Sequence, residues 1–197
     1  MELYLATQNK HKIEELSALL AGRFFVKSIN ELGQVDDIPE TGKTIAENSH
    51  QKAAFIAEKY GVVCLSDDSG LEVNALQGAP GVYSARYAGN QKNDVDNVQL
   101  LLKNLQNTLD RSARFVTVLT FHHQGEFVQF EGEIKGQIID RPRGSLGFGY
   151  DPIFVPNGFS LTFAEMTIEQ KNSIAHRAMA LQKFLKFIDQ STFFSNQ

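Results

Sequence analysis

The sequence predicts an α/β protein built on a mixed β-sheet flanked by helices. Three observations carry this. Over the first 65 residues, short strand-like apolar runs alternate with segments of helical period, as they do when strands are joined through helices. Residues 113–123 and 126–139 are two strand-like runs joined by Gln124-Gly125, which reads as a hairpin and makes the sheet mixed. No linker or composition break divides the 197 residues, so one domain is expected over 1–190, with a flexible tail at 191–197.

Composition narrows the class. Hydrophobic residues at 42% and charged residues at 21% are ordinary for a soluble globular chain. A chain of this size buries about 70% of its unfolded surface. A net charge of -4 argues against a general nucleic-acid binder, which needs a basic excess. The single cysteine, Cys64, lies in an apolar run, which rules out an intramolecular disulfide framework and points to a reducing compartment. Charges at Glu2, Lys10 and Lys12 do not fit a signal peptide, and no stretch approaches the ~20 apolar residues of a membrane span. The expected location is the cytoplasm.

Each element has its own signal. Residues 2–6, ELYLA, form an edge-to-core strand ended by Thr7-Gln8-Asn9, and a helix follows over 10–20 with Ile13, Leu16 and Leu20 on one face. Residues 24–28 form a second strand, followed by an acidic loop over 30–42 containing Asp36, Asp37 and Glu40. A helix opens at Thr44, where Thr44 and Glu47 have capping-box spacing, and runs to about Tyr60 with Lys52 two turns in. Gly42-Lys43-Thr44 imitates the end of a phosphate-binding P-loop, but Asp37 stands where that motif needs glycine. Residues 62–65 form a short buried strand, Asp67-Asp68-Ser69-Gly70 interrupts it, and Leu71–Val73 resumes. A Gly-rich connection over 77–90 holds Tyr83, Arg86 and Tyr87. A helix over 93–105 places Val95, Val98, Leu102 and Leu105 in the core. After the hairpin and a second Gly-rich loop over 140–151, one last helix runs from Thr167 to about Asp189, burying Ile174, Ala178, Leu181, Leu185 and Ile188.

Several of these stretches can carry chemistry. Asp67 and Asp68 at a strand end suit a hard cation such as Mg²⁺, which takes one or two carboxylates and leaves its other positions to phosphate and water. Asp, Ser and Gly also make turns, and that reading stands beside it. Lys10, His11 and Lys12 have the wrong sign for a helix start, giving up about 0.3–1 kcal/mol each of favourable end interaction. They mark an anion site or simply solvated lysines. Phe148 between Gly147 and Gly149 presents an aromatic face on which a base could stack for about 1–3 kcal/mol, or it is a core side chain at a tight turn. Lys171, His176 and Arg177 repeat the anomaly of cations near a helix start. His122 and His123 point to opposite faces of a strand and cannot share one metal, and no zinc or serine-hydrolase motif is present. Together, basic and acidic loops of this kind point to a highly anionic ligand held with a divalent cation.

Six ordered motifs carry a resemblance. They are Thr7-Gln8-Asn9-Lys10-His11-Lys12, Glu40-Thr41-Gly42, Ser66 to Leu71, Gly78 to Arg86, Gly147 to Pro152, and Lys171 to Arg177. The series resembles the inosine triphosphate pyrophosphatase family and runs nearly the whole chain, leaving out the helix around 93–111 and the tail. The resemblance implies an elongated α/β fold with two lobes and the active site in the cleft between them. It also implies a homodimeric, Mg²⁺-dependent hydrolase that converts ITP, dITP and XTP to the monophosphate and pyrophosphate. By position, Thr7, Gln8, Asn9, Lys10, His11, Lys12, Lys52 and Ser69 match phosphate-binding residues. Glu40 and Asp68 match metal ligands, and Asp68 also matches the general base. Phe148, Gly149, Tyr150, Asp151, Lys171, His176 and Arg177 match base-binding residues. Gln8 stands where the family often has Gly, and Ala175 where it often has Ser. The residues alone leave open whether Asp67 or Asp68 is the base, since adjacent acids titrate as a pair; the resemblance favours Asp68.

Overall fold

The computed structural model describes residues 1–33 and 38–191. The loop acids Asp36 and Asp37, and the tail from 192 onward, lie outside the described residues. Among the described residues, six strands form one sheet in the order β2-β1-β3-β4-β5-β6. They are β1 (Glu2–Ala6), β2 (Phe25–Ser28), β3 (Cys64–Val73), β4 (Ser112–His123), β5 (Glu126–Ile138) and β6 (Phe154–Pro156). β1 runs parallel to both β2 and β3, whereas β5 and β6 are antiparallel, so the sheet is mixed as expected. β1 is an inner strand, and β2 takes the edge with Phe25 exposed. Among the described residues, five α-helices accompany the sheet: α1 (Lys10–Leu20), α2 (Ile45–Tyr60), α3 (Asp94–Asn104), α4 (Ile168–Ile174) and α5 (His176–Gln190).

The chain divides into two compact units. One comprises Met1–Asp68, Thr117–Gly132 and Ala178 onward; the other comprises Ser69–Val116 and Glu133–Arg177. In the first unit, strand alternation sorts the core. Leu3, Leu5 and Leu65 pack with Leu16 and Leu20 of α1 and with Leu181 and Phe184 of α5. Ala6 and Cys64 pack instead with Ala53, Ile56 and Ala57 of α2. Thr44 caps α2 with the expected capping box, and Gly61 ends the helix in a left-handed conformation. Gln124 and Gly125 both take positive φ, 51° and 87°, which a two-residue hairpin turn with the twist of its strands requires.

The second unit has its own core of Leu71, Val73, Val98, Leu101, Phe115, Ile138, Phe154 and Phe163. Three expectations are corrected. Val95 is 63% exposed, because the buried stripe of α3 runs through Val98, Leu101 and Leu105. The last helix is two helices. Ala175 sits between them with ψ 150°, so Lys171 falls in the last turn of α4, where a cation is favourable, and only His176 and Arg177 open a helix. Finally, Asp67-Asp68-Ser69-Gly70 is neither a turn nor a strand end. β3 continues through it unbroken from Cys64 to Val73. Turn chemistry loses here because both carboxylates find lysine partners on helices packed against the strand.

Candidate active site

Because Asp67 and Asp68 are consecutive in a strand, their side chains leave on opposite faces. Leu65 and Asp67 face α1, while Cys64, Ser66 and Asp68 face α2. Asp67 is fully buried, and its Oδ1 lies 2.6 Å from Lys12 Nζ in the first turn of α1. The same ammonium donates to the Asp67 carbonyl at 3.2 Å. The two acids therefore do not form one bidentate pair; each has its own lysine.

On the α2 face, Lys52 Nζ lies 2.7 Å from Asp68 Oδ1 and 2.9 Å from Glu40 Oε1. Lys52 is only 4% exposed. Burial alone would pull its pKa down, but the Asp68 and Glu40 charges and their hydrogen bonds outweigh it and raise it above the usual lysine value. The ammonium is thus charged at neutral pH. Two carboxylates sharing one ammonium leave a net negative charge on an all-oxygen donor set, which fits a hard divalent cation of the Mg²⁺ kind. Among the described residues, no group of three or more His, Cys, Asp or Glu side chains converges. A cation here would draw its remaining ligands from water and phosphate.

Glu40 reaches Lys52 because its loop is pressed onto α2. Gly42 N–H donates to Asn48 Oδ1 at 2.8 Å, and Thr41 N–H donates to Gln51 Oε1 at 2.9 Å. A Cβ on Gly42 would lie 2.7 Å from Glu47 Cβ, so this approach needs glycine. Beneath it, Ser49 Oγ bonds the Ser66 and Thr120 hydroxyls at 2.9 and 2.8 Å, all three fully buried. Asn48 and Gln51 are absent from the sequence-based candidates. For Asn48 a signal was available: Asn48 and Lys52, four apart, lie on the same face of α2 as Ile45 and Ile56, where an apolar stripe should have continued.

The Thr7–Lys12 stretch makes the turn from β1 into α1. Thr7 is buried and its Oγ1 accepts from Asn9 N–H at 3.2 Å, while Asn9 Oδ1 caps the helix by accepting from Lys12 N–H. Gln8, Asn9, Lys10 and His11 are exposed, and the first turn of α1 carries no acid.

The second unit gathers the remaining candidates. Asp151 Oδ2 takes two donors, Lys171 Nζ at 2.7 Å and Phe148 N–H at 3.0 Å. The carboxylate approaches Gly147 so closely that a Cβ there would collide with it, and Gly147 holds φ 74°. Gly149 N–H donates to Asp94 Oδ2 of α3 at 2.7 Å. The Phe148 ring lies 5.0 Å from Lys171 Nζ and 5.9 Å from the Arg177 guanidinium carbon. Arg177 is 3% exposed and donates from Nη2 to Ser69 Oγ at 3.1 Å, joining the residue after Asp68 to the start of α5. His176 is buried and stacks on Phe115 with centroids 4.8 Å apart and planes 8° from parallel. Tyr150 is a core residue whose hydroxyl donates to the Ser84 carbonyl at 2.9 Å, and burial pushes its pKa up. In the Gly-rich connection, Arg86 lies over the Tyr83 ring at 5.4 Å and Tyr87 Oη accepts from Asn104 at 2.8 Å. His122 packs on Phe127 and His123 on Phe121.

The sequence and structure have close relatives. A dITP/XTP pyrophosphatase of Flavobacterium johnsoniae is 47% identical over 188 residues, covering 95% of this chain and 98% of that protein. A dITP/XTP pyrophosphatase of Bacillus licheniformis is 44% identical, covering 96% and 99%. Among solved structures, the Staphylococcus aureus Ham1 protein superposes with a TM-score of 0.88 at 40% identity, covering 96% of this chain and 98% of that one. A HAM1 protein from Coxiella burnetii gives 0.89 at 38% identity, covering 97% and 100%. The Ham1 family model matches residues 3–187, nearly the whole chain, and the protein is a member of the Ham1 family.

Proposed function

We propose that this protein is a Mg²⁺-dependent nucleoside-triphosphate pyrophosphatase that hydrolyses ITP, dITP and XTP to the monophosphate and pyrophosphate, clearing them from the nucleotide pool. On this reading it works in the cytoplasm as a homodimer, with residues 1–190 acting as one catalytic domain. The relatives named dITP/XTP pyrophosphatases support the reaction class. The single observation that carries the reading in this chain is the buried Lys52 ammonium clasped by Glu40 and Asp68.

Roles follow from chemistry. Glu40 and Asp68 would hold Mg²⁺, which when bound supplies positive charge to the phosphate oxygens. Lys12 and Lys52, with Thr7 to His11 and Ser69, would bind the triphosphate, and electrostatic stabilisation of this kind is usually the largest catalytic contribution. Asp68 accepts a proton from the attacking water. The new bond forms from that water oxygen to the α-phosphorus, the bridging bond to the β-phosphate breaks, and pyrophosphate leaves. Asp67 acts by holding Lys12 in place. Phe148 offers a face for the purine, and Gly149, Tyr150, Asp151, Lys171 and His176 shape its surroundings. Arg177 donates to the O6 acceptor that hypoxanthine and xanthine carry and adenine lacks. A site built to bond one group rejects its absence by up to about 10⁴–10⁵.

The test is direct. The protein is incubated with Mg²⁺ and ITP, XTP, dITP, GTP or ATP, and pyrophosphate release is followed with and without excess EDTA. Preferential pyrophosphate release from ITP, dITP and XTP, abolished by EDTA, is expected. Release of orthophosphate alone, or full activity in EDTA, overturns the proposal.

A further inference from the structure

The two successive peptides that flank Phe148 are each held by a carboxylate. Phe148 N–H donates to Asp151 Oδ2, and Gly149 N–H donates to Asp94 Oδ2. The stretch has no ladder of its own, since Gly147 and Gly149 both take left-handed φ, 74° and 59°. Upstream, Ser145 and Leu146 are tied to the Ala164 carbonyl. Downstream, Tyr150 is fixed in the core. Between these anchors the two carboxylates, together with the Asp151 N–H that donates to the Phe148 carbonyl at 3.2 Å, set where these peptides, and so the Phe148 ring, lie.

Asp151 belongs to the motif series, but Asp94 does not. It opens α3, the helix the motifs leave out and whose sequence shows only packing positions. The side-chain cap of that helix is Asn93, which accepts from Val95 N–H and Asp96 N–H at 2.9 and 3.1 Å. Asp94 is exposed and extends away from its own helix to the Gly149 amide.

We propose that Asp94 is a positioning residue for purine recognition, holding the Phe148–Gly149 peptide so that the Phe148 ring is preset to receive the base. This rests on the reading above that Phe148 binds the purine. Preset geometry lowers the cost of ordering on binding, so its loss falls on substrate binding rather than on the chemical step. The contact is a hydrogen bond to a charged acceptor, and its loss is expected to raise KM about tenfold, the low end of what such bonds are worth.

The experiment uses the full chain and compares wild type with Asp94→Ala, Asp94→Asn, Phe148→Ala and the Asp94→Ala/Phe148→Ala double variant. Steady-state kinetics with ITP, inhibition by inorganic tripolyphosphate and thermal melts are measured for each. Asp94→Ala should raise KM for ITP about tenfold with kcat within about twofold and tripolyphosphate inhibition unchanged. Asp94→Asn keeps an oxygen that accepts from Gly149 N–H and should stay within about threefold of wild type. Asp94→Ala should add little once Phe148 is gone. If Phe148→Ala raises KM but Asp94→Ala does not, the role of Asp94 is overturned and base binding by Phe148 stands. If Phe148→Ala leaves KM unchanged, the base-binding reading fails and this inference with it. Equal melting-temperature losses in both Asp94 variants with unchanged KM would make Asp94 a helix-start stabiliser and also overturn the proposal.

Discussion

Replacing Lys52 with Met tests the electrostatics of the site most sharply, because Met keeps most of the aliphatic stem and deletes only the charge. The side chain of Asp68 is 10% exposed and that of Glu40 is 33% exposed. Water can recover much of the lost interaction at Glu40 but little at Asp68. Breaking a buried pair by removing one partner costs about 3–5 kcal/mol, and with one carboxylate partly wet the lower end, about 3 kcal/mol, is expected. For a chain of this length that is a fall in Tm of roughly 6–12 °C. Urea unfolding of wild type, Lys52→Met, Asp68→Asn and the double variant supplies the cycle. Adding Asp68→Asn to Lys52→Met should recover about 2 kcal/mol, because it removes the stranded charge. A loss below about 1 kcal/mol in Lys52→Met, or strict additivity of the two substitutions, would refute the buried-clasp argument.

Three further outcomes are expected. Asp68→Asn should lower kcat by at least ~10²-fold, the usual minimum for a lost general base, whereas Asp67→Asn should act through Lys12 and raise KM more than it lowers kcat; equal kcat losses would reject the division of labour. Arg177→Ala should lower the ITP-to-ATP ratio of kcat/KM by roughly 10- to 150-fold, the range of one charge-assisted hydrogen bond, and a parallel decline on both substrates with a lower Tm would assign Arg177 to the Ser69 contact alone. Burial pushes the Cys64 thiol from 9.0 up to about 12, so the folded chain keeps a proton the unfolded chain releases, and stability intact below about pH 9 should fall by ~1.4 kcal/mol per unit above it. Cys64→Ala should remove that slope from the urea midpoints, and an unaltered slope would contradict the burial argument.

How much of this was legible in the sequence depends on the range of the interaction that decides each feature. α1, α2 and the β4–β5 hairpin were readable because their signals are local: an apolar stripe, a Thr44–Glu47 capping box and a two-residue turn. The continuity of β3 was not. Asp-Asp-Ser-Gly has turn chemistry by itself, and only Lys12, 55 positions away, and Lys52, 16 away, make an unbroken strand the better solution. The split at Ala175 was equally hidden, since the apolar period from Ile174 to Ile188 continues across it. The hydroxyl cluster of Ser49, Ser66 and Thr120 follows the same rule, because each residue reads as an ordinary polar position until α2 is laid on the sheet. The same distinction separates the acids. Adjacency in sequence made Asp67 and Asp68 look like one coupled pair, yet a two-residue period sends neighbours to opposite faces, so adjacency within a strand is evidence against convergence. The carboxylates that do converge, Glu40 and Asp68, are 28 residues apart and meet only because Gly42 lets the first loop close on α2, where Asn48 and Gln51 hold it.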